Sequence, residues 1–227
     1  MKVLVLFSGG LDSTTCLAQA VNMYGAENVI AVSMLYGQKH DKELWCAKKI
    51  ADYYKVKLLK YDLAKIFEYS NCSLLEGSLE DVPDGSYAEQ LDNDSKKPVS
   101  TYVPFRNGLF ISTAASLALS LGCERIYYAI HKDDAAGSAY PDCSQEFNKA
   151  MQDAIYEGTG KQVTLVAPFV GMDKGEIVWL GTKLKVPYEL TWSCYKGNEK
   201  ACGKCGTCID RLKAFKVNGL EDPIDYE

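Results

Sequence analysis

The residues Val3-Leu4-Val5-Leu6-Phe7 form an apolar, partly β-branched run, which Ser8-Gly9-Gly10 interrupts before Ser13-Thr14-Thr15, Leu17, Ala18 and Val21 open a helical pattern. This predicts a buried strand turned through paired glycines into a helix N-terminus. Paired glycines let the backbone approach a ligand closely, and successive N–H groups at a helix start attract an anion. The hydroxyls of Ser8, Ser13 and Thr14 add donors, so the predicted anion is a phosphate group. The same residues also suit an ordinary tight turn capped by Ser13. The string lacks the lysine and spacing of a P-loop and has no G-x-G-x-x-G, so a dinucleotide fold of the Rossmann type is not supported.

Four further apolar runs follow: Asn28 to Met34, Val56 to Tyr61, Glu124 to His131 as a strand and its exit, and Gln162 to Ala167. Helical patterns lie between them, from Glu43 to about Tyr54, Leu109 to Leu121 and Ser144 to Glu157, and another opens at Gly171. Strands alternating with helices predict an α/β fold with an open, mostly parallel five-stranded sheet, joined by right-handed crossovers and covered by helices on both faces. The stretch 71–100 is polar and rich in turn formers; it reads as a loop insertion, expected to be mobile and a candidate lid. The length of 227 residues suits one such domain, 1–190, with a small appendage and a short tail, 218–227. The net charge of −5 gives no general basic surface for nucleic acid. No apolar run approaches the roughly 20 residues of a membrane span. The start of the chain runs straight into a core strand, so no export signal is expected.

Several polar residues fall where open α/β sheets bind ligands, at the C-terminal strand edge. Tyr36, Gln38 and His40 leave the second strand, although Tyr36-Gly37 also reads as a turn and His40 as a solvated first-turn residue. Arg106 and Asn107 sit where an extended segment enters a helix; Arg106 can hold a phosphate bidentately or pair with a surface carboxylate, and Asn107 can cap the helix. Tyr140 can stack a heterocycle and Asp142 accept from its N–H groups, or Asp142 can cap the next helix. Asp173 and Glu176 have capping-box spacing. Lys174 places a cation in a helix first turn, where an anionic ligand would explain it.

Nine cysteines are present. Cys16, Cys46, Cys72, Cys123 and Cys143 are scattered and read as reduced thiols of a cytosolic protein. Cys194, Cys202, Cys205 and Cys208 cluster, with Gly203 and Gly206 between them, so that the chain can wrap four thiolates around one centre. This spacing serves zinc, iron–sulfur or redox chemistry. It closes a segment, 191–217, in which Thr191-Trp192-Ser193 is read as a strand beside the site. Lys196, Lys200 and Lys204 would offset the negative charge.

The Ser-Gly-Gly-x-Asp-Ser string resembles the pyrophosphatase loop of enzymes that split ATP between its α and β phosphates. That resemblance implies an adenine nucleotide alpha hydrolase-like fold (HUP-type) and adenylation with Mg²⁺. ATP contacts would come from Phe7, Ser8, Gly9, Gly10, Leu11, Asp12, Ser13, Thr14, Thr15, Cys16 and Leu17, with Asp12 either on the Mg²⁺ side or bracing the turn. In this context the four cysteines are taken as one structural Zn²⁺ site per chain. Five stretches in register narrow the likeness: Phe7 to Ser13, Tyr36 to His40, Thr101 to Asn107, Tyr140 to Cys143 and the four-cysteine tail. Together they resemble the 7-cyano-7-deazaguanine synthase family, a group of nitrile-forming ATP-dependent carbon–nitrogen ligases of queuosine precursor biosynthesis. Two positions depart from that pattern: Leu35 where an acidic residue is usual, and Ser144 where Arg is usual.

The resemblance implies ATP, 7-carboxy-7-deazaguanine and ammonia as substrates, a cytoplasmic homodimer, and no nucleic-acid or membrane partner. Ser8, Asp12, Ser13, Arg106 and Lys174 would carry the charge neutralisation. Tyr36, Gln38, His40, Arg106, Asn107, Tyr140 and Asp142 would hold the base, and no nucleophilic side chain is required. The alternatives are a tRNA-modifying adenylase with the same loop and a non-catalytic zinc module that senses nucleotides.

Overall fold

The computed structural model describes residues 1–39, 42–91, 98–135, 139–196 and 199–227. Five parallel strands, β1 Val3–Leu6, β2 Val29–Leu35, β3 Lys57–Asp62, β4 Arg125–Tyr127 and β5 Thr164–Val166, form one sheet in the order β3-β2-β1-β4-β5. The helices are α1 Leu11–Tyr24, α2 Lys42–Tyr54, the short α3 Tyr87–Gln90, α4 Arg106–Leu121, the short α5 Lys132–Ala135, α6 Gln145–Gly158, α7 Lys174–Lys183 and α8 Gly206–Val217. The α/β expectation holds: the sheet is open and parallel, and the order turns outward on both sides of β1. Among the described residues no helix is long and apolar enough to cross a membrane.

Alternation along β1 sets the two layers. Val3 and Val5 join α1, α2, α7 and α8 in one core, whereas Leu4 joins α4 and α6 in the other. The fourth strand is shorter than predicted, because only Arg125, Ile126 and Tyr127 find register partners on β1 and β5. The predicted strand at Thr191-Trp192-Ser193 is absent: this stretch pairs with no named strand, and its tie to the sheet edge is Trp192 N–H donating to Gly9 O at 3.2 Å.

Within 71–91 and 98–100 the chain packs rather than dissolving. Cys72, Leu74 and Leu75 make a small core with Phe67 and Val103. Ser86 opens α3 with a capping box to Glu89. Gly85 N–H donates to Lys204 O at 2.9 Å, and Asp84 pairs with Lys196 at 2.6 Å. Residues 92–97, part of the predicted insertion, lie outside the described residues.

The last residues dock as well. Arg211 of α8 is fully buried and makes a bidentate pair with Asp222, at 2.7 Å from Nε and 2.9 Å from Nη2. Its other donors reach Thr191 Oγ1 and Tyr188 O. The guanidinium thereby ties α8, residues 188–193 and the C-terminal end into one unit. Replacing Asp222 by Ala leaves a buried, uncompensated cation; the expected loss is about 3–5 kcal/mol in urea unfolding, larger than for any exposed ion pair such as Lys48–Asp52.

Candidate active site

The turn after β1 is built around Gly9. Its φ is +94°, and a Cβ there would lie 2.5 Å from Glu43 O and 2.6 Å from Ala47 N, so the backbone of α2 packs directly on the glycine. Gly10 is the N-cap of α1 and has no side-chain cap. Ser8 Oγ accepts from Gly10 N–H at 3.1 Å and lies 3.1 Å from Ser13 Oγ. The free amides of the first turn of α1 therefore share one rim with two exposed hydroxyls, which is an anion cradle. The helix begins at Leu11, two residues before the predicted start.

Not every loop residue reaches this rim. Thr14 Oγ1 donates to Gly10 O, and Thr15 Oγ1 donates to Leu11 O and meets Tyr188 OH at 2.8 Å. Leu11, Cys16 and Leu17 lie in the core. The structure does not bring the side chains of Leu11, Thr14, Thr15, Cys16 and Leu17 to the rim, because the buried stripe of α1 passes through these positions.

A cavity of about 240 Å³ opens at the C-terminal strand edge, beside the cradle. Among the predicted residues, Phe7, Ser8, Ser13, Tyr36, Gln38, Arg106, Asn107 and Tyr140 line it. Arg106 opens α4 because Phe105 before it adopts the left-handed region, with φ 53°. Its guanidinium lies 5.0 Å from the Tyr36 ring centre, and among the described residues no carboxylate comes within ion-pair distance of it. Tyr140 OH bonds Thr101 at 2.6 Å. Gln38 Oε1 accepts from Tyr36 N–H at 2.9 Å, which holds the turn.

Two capping expectations are corrected. Asn107 does not cap α4; its N–H donates to Asp142 Oδ2 at 2.8 Å. Asp142 does not cap α6, since Ser144 does, accepting from Phe147 N–H at 3.1 Å. Asp142 is buried and braces the start of α4 instead. Burial pushes its pKa up, against the opposing pull of the Asn107 amide and Arg106. His40 lies outside the described residues.

Asp12 and Lys174 form a second cluster next to the cradle. Lys174 is buried at the first position of α7, behind the Asp173–Glu176 capping box, with Nζ 3.5 Å from Asp12 Oδ2. Burial lowers its pKa, but Asp12, Asp134 and Asp210 outweigh this and the net shift is upward, so the ammonium is retained. His131 is buried, and neither ring nitrogen is hydrogen-bonded among the described residues; Nε2 is 3.3 Å from Asp134 Oδ2 and 3.8 Å from Asp12 Oδ2. Asp12 Oδ1 is likewise buried, with no partner among the described residues. Asp12 and Asp134, both beside His131, offer the carboxylate oxygens that a hard cation takes.

Cys194, Cys202, Cys205 and Cys208 are all buried, with their sulfurs within 4.8 Å of one another. Amide donors aim at two of them: Lys196 and Cys202 N–H at Cys194 Sγ, both 3.4 Å, and Lys204 and Cys205 N–H at Cys202 Sγ, 3.4 and 3.3 Å. The thiols of Cys205 and Cys208 hold Cys194 well below the ordinary thiol range. Cys143, by contrast, is pushed well above it by burial, which leaves it a protonated thiol and a poor nucleophile.

Glu43, His131, Asp134 and Tyr195 were missed as site residues. Glu43 had a signal: it stands one turn ahead of Cys46, Ala47 and Ile50, in line with the buried stripe of α2, where a carboxylate is out of place.

An all-parallel sheet in the order β3-β2-β1-β4-β5, with a cavity at its strand-order reversal, is the arrangement of the doubly wound, ligand-binding α/β proteins. The U34-tRNA thiolase NcsA from Methanococcus maripaludis, solved with its [4Fe-4S] cluster, shares this fold: the TM-score is 0.53 at 15% identity, over 96% of this chain and 65% of the thiolase. The chain belongs to the family described as queuosine biosynthesis protein QueC, matched over residues 2–219. Relatives named 7-cyano-7-deazaguanine synthase are 43% identical in Archaeoglobus fulgidus (99% of this chain, 90% of the relative), 43% in Oceanobacillus iheyensis (99% and 98%) and 44% in Caldicellulosiruptor saccharolyticus (100% and 96%).

Replacing Lys174 by Met keeps the apolar stem and removes the cation beside Asp12. A charge-assisted contact of about 1.5–3 kcal/mol makes the expected weakening of ATP binding roughly 10- to 100-fold by calorimetry, with the far-ultraviolet dichroism unchanged.

Proposed function

We propose that the chain converts 7-carboxy-7-deazaguanine and ammonia to 7-cyano-7-deazaguanine, at the expense of ATP. The observation that carries this reading is the shared rim: the Ser8-Gly9-Gly10-Ser13 cradle opens onto the cavity that Arg106 lines with no ion-pair partner among the described residues. An unpaired guanidinium facing a phosphate cradle suits a carboxylate substrate held against the ATP α-phosphate. The substrate carboxylate attacks the α-phosphorus, and pyrophosphate leaves in the cradle. Ammonia then displaces AMP from the acyl-adenylate to give the amide. Activation of the amide oxygen by another ATP and loss of AMP leave the nitrile.

Each step gathers negative charge, which Lys174, Arg106 and the amides of α1 offset. Mg²⁺, when bound, supplies further neutralisation at the phosphates; Asp12 and Asp134 are the residues proposed to hold it. Tyr36 and Tyr140 are proposed to wall the base. Ser144 caps α6, and Arg106 is the cation among the described lining residues proposed to hold the substrate carboxylate.

For the four cysteines we propose one structural Zn²⁺ per chain. A tetrahedral zinc with bonds of about 2.3 Å spaces its sulfurs by about 3.8 Å, close to the 4.0 Å between Cys202 and Cys208. An iron–sulfur cluster inserts iron and sulfide between its thiolates and spreads them farther. In this reading residues 1–190 hold the chemistry, 191–217 anchor the site, and the enzyme is a cytoplasmic homodimer that needs no nucleic acid.

Incubation with the acid, ATP, Mg²⁺ and ammonium is expected to yield pyrophosphate, AMP and a product lighter than the acid by mass spectrometry; AMP with the amide alone restricts the enzyme to amide synthesis. Metal analysis is expected to find zinc without iron, and a chelator strong enough to remove it to lower the melting temperature.

A further inference from the structure

We propose that a small annex of the substrate cavity, beside Glu43, binds ammonium, and that the Glu43 carboxylate takes the proton ammonium must lose to become the nucleophile. This rests on the amidation reading, which gives the annex its occupant.

The annex measures about 20 Å³, room for one molecule the size of water or ammonia. Tyr36, Gln38, Glu43, Ser193 and Tyr195 line both it and the large cavity, so the two communicate. Among its described lining residues Glu43 is the single carboxyl. Tyr36 is pushed up to about 12 and Tyr195 well above the usual tyrosine range, chiefly by burial, so both stay neutral. The amide oxygen of Gln38 is already engaged by Tyr36 N–H.

Glu43 makes no ion pair among the described residues. Arg106, from α4, lies over Tyr36, and Lys42, on α2 itself, lies over Trp192 at 3.4 Å from the ring centre. Yet Glu43 stands at the edge of the phosphate cradle: Oε1 is 3.1 Å from where a Cβ on Gly10 would be. A carboxylate there repels the phosphates unless a proton or a cation covers it. Desolvation raises its pKa to about 7, with Ser8 and Arg106 pulling down and Asp12 pushing up, so near neutral pH it can both accept and release a proton. Mg²⁺ would need an octahedral shell of oxygens. One carboxyl among aromatic rings suits a monovalent onium ion better.

The step balances. Ammonium passes one proton to the Glu43 carboxylate. The nitrogen lone pair forms a C–N bond to the acyl carbon of the adenylated acid. The C–O bond to AMP breaks, its electron pair leaving on the phosphate oxygen. The second proton departs to bulk water as the amide forms.

The test uses Glu43→Gln and two readouts. Acid-dependent exchange of pyrophosphate into ATP needs no ammonia, so it reads separately whatever Glu43 does for the phosphates at the cradle. The apparent kcat/KM for ammonium is expected to fall about 100-fold further than the exchange rate, with the Mg²⁺ requirement unchanged. An unaltered kcat/KM for ammonium overturns the proposal, and so does an equal loss in both readouts or a raised Mg²⁺ requirement. In the wild-type enzyme, methylamine is expected to be used at least about 100-fold less well than ammonium, and equal use also overturns it. Absence of acid-dependent exchange in wild type would instead sink the amidation reading itself.

Discussion

The close approach of α2 to Gly9 is the constraint on which the site depends. With no Cβ at this position, the backbone of α2 lies against the turn, and the turn can take a positive φ. Three consequences follow from that one contact. The amides that open α1 face the strand edge. Glu43 is brought to the cradle by the same turn of α2 that touches the glycine. Gly9 O also receives Trp192 N–H, which moors the cysteine-bearing segment beside the nucleotide end of the sheet.

Charge is distributed around this turn in two unequal groups. On one side Lys174 sits among Asp12, Asp134 and Asp210, with His131 buried against them. On the other, Arg106 is enclosed by aromatic rings and neutral hydroxyls. Burial makes both groups costly in isolation. A polyanion with its metal on one side and a carboxylate on the other would complement them, which is the charge pattern that adenylation of an acid requires.

The four-cysteine segment is joined to the large cavity by short links. Tyr195, next to Cys194, lines the cavity and bonds Tyr87. The ring of Tyr87 in turn lies against Gly206, at the start of α8. Arg211 and Asp222 close the other end of that helix. Loss of order around the four sulfurs would therefore reach the cavity wall through packing alone.

The sheet, its parallel sense and its two layers were legible from apolar runs spaced by helical patterns, because both signals are local. The cradle was legible at Ser8, Gly9, Gly10 and Ser13 for the same reason. The inward-facing members of the stretch, Thr14, Thr15, Cys16 and Leu17, could not be separated from the rim by listing neighbours in the chain; the helical period decides which of them face the core. Asn107 and Asp142 each looked like the cap of its own helix, yet they brace one another across two elements, a pairing with no local trace. Composition and motif order thus determine the α/β class, the glycine turn into α1 and the clustering of the four cysteines, since each depends on residues close in the chain. The placing of Glu43 against Gly10, the Lys174–Asp12 pair and the docking of Asp222 on Arg211 come from folding alone, because desolvation and ion pairing depend on which distant groups are brought together.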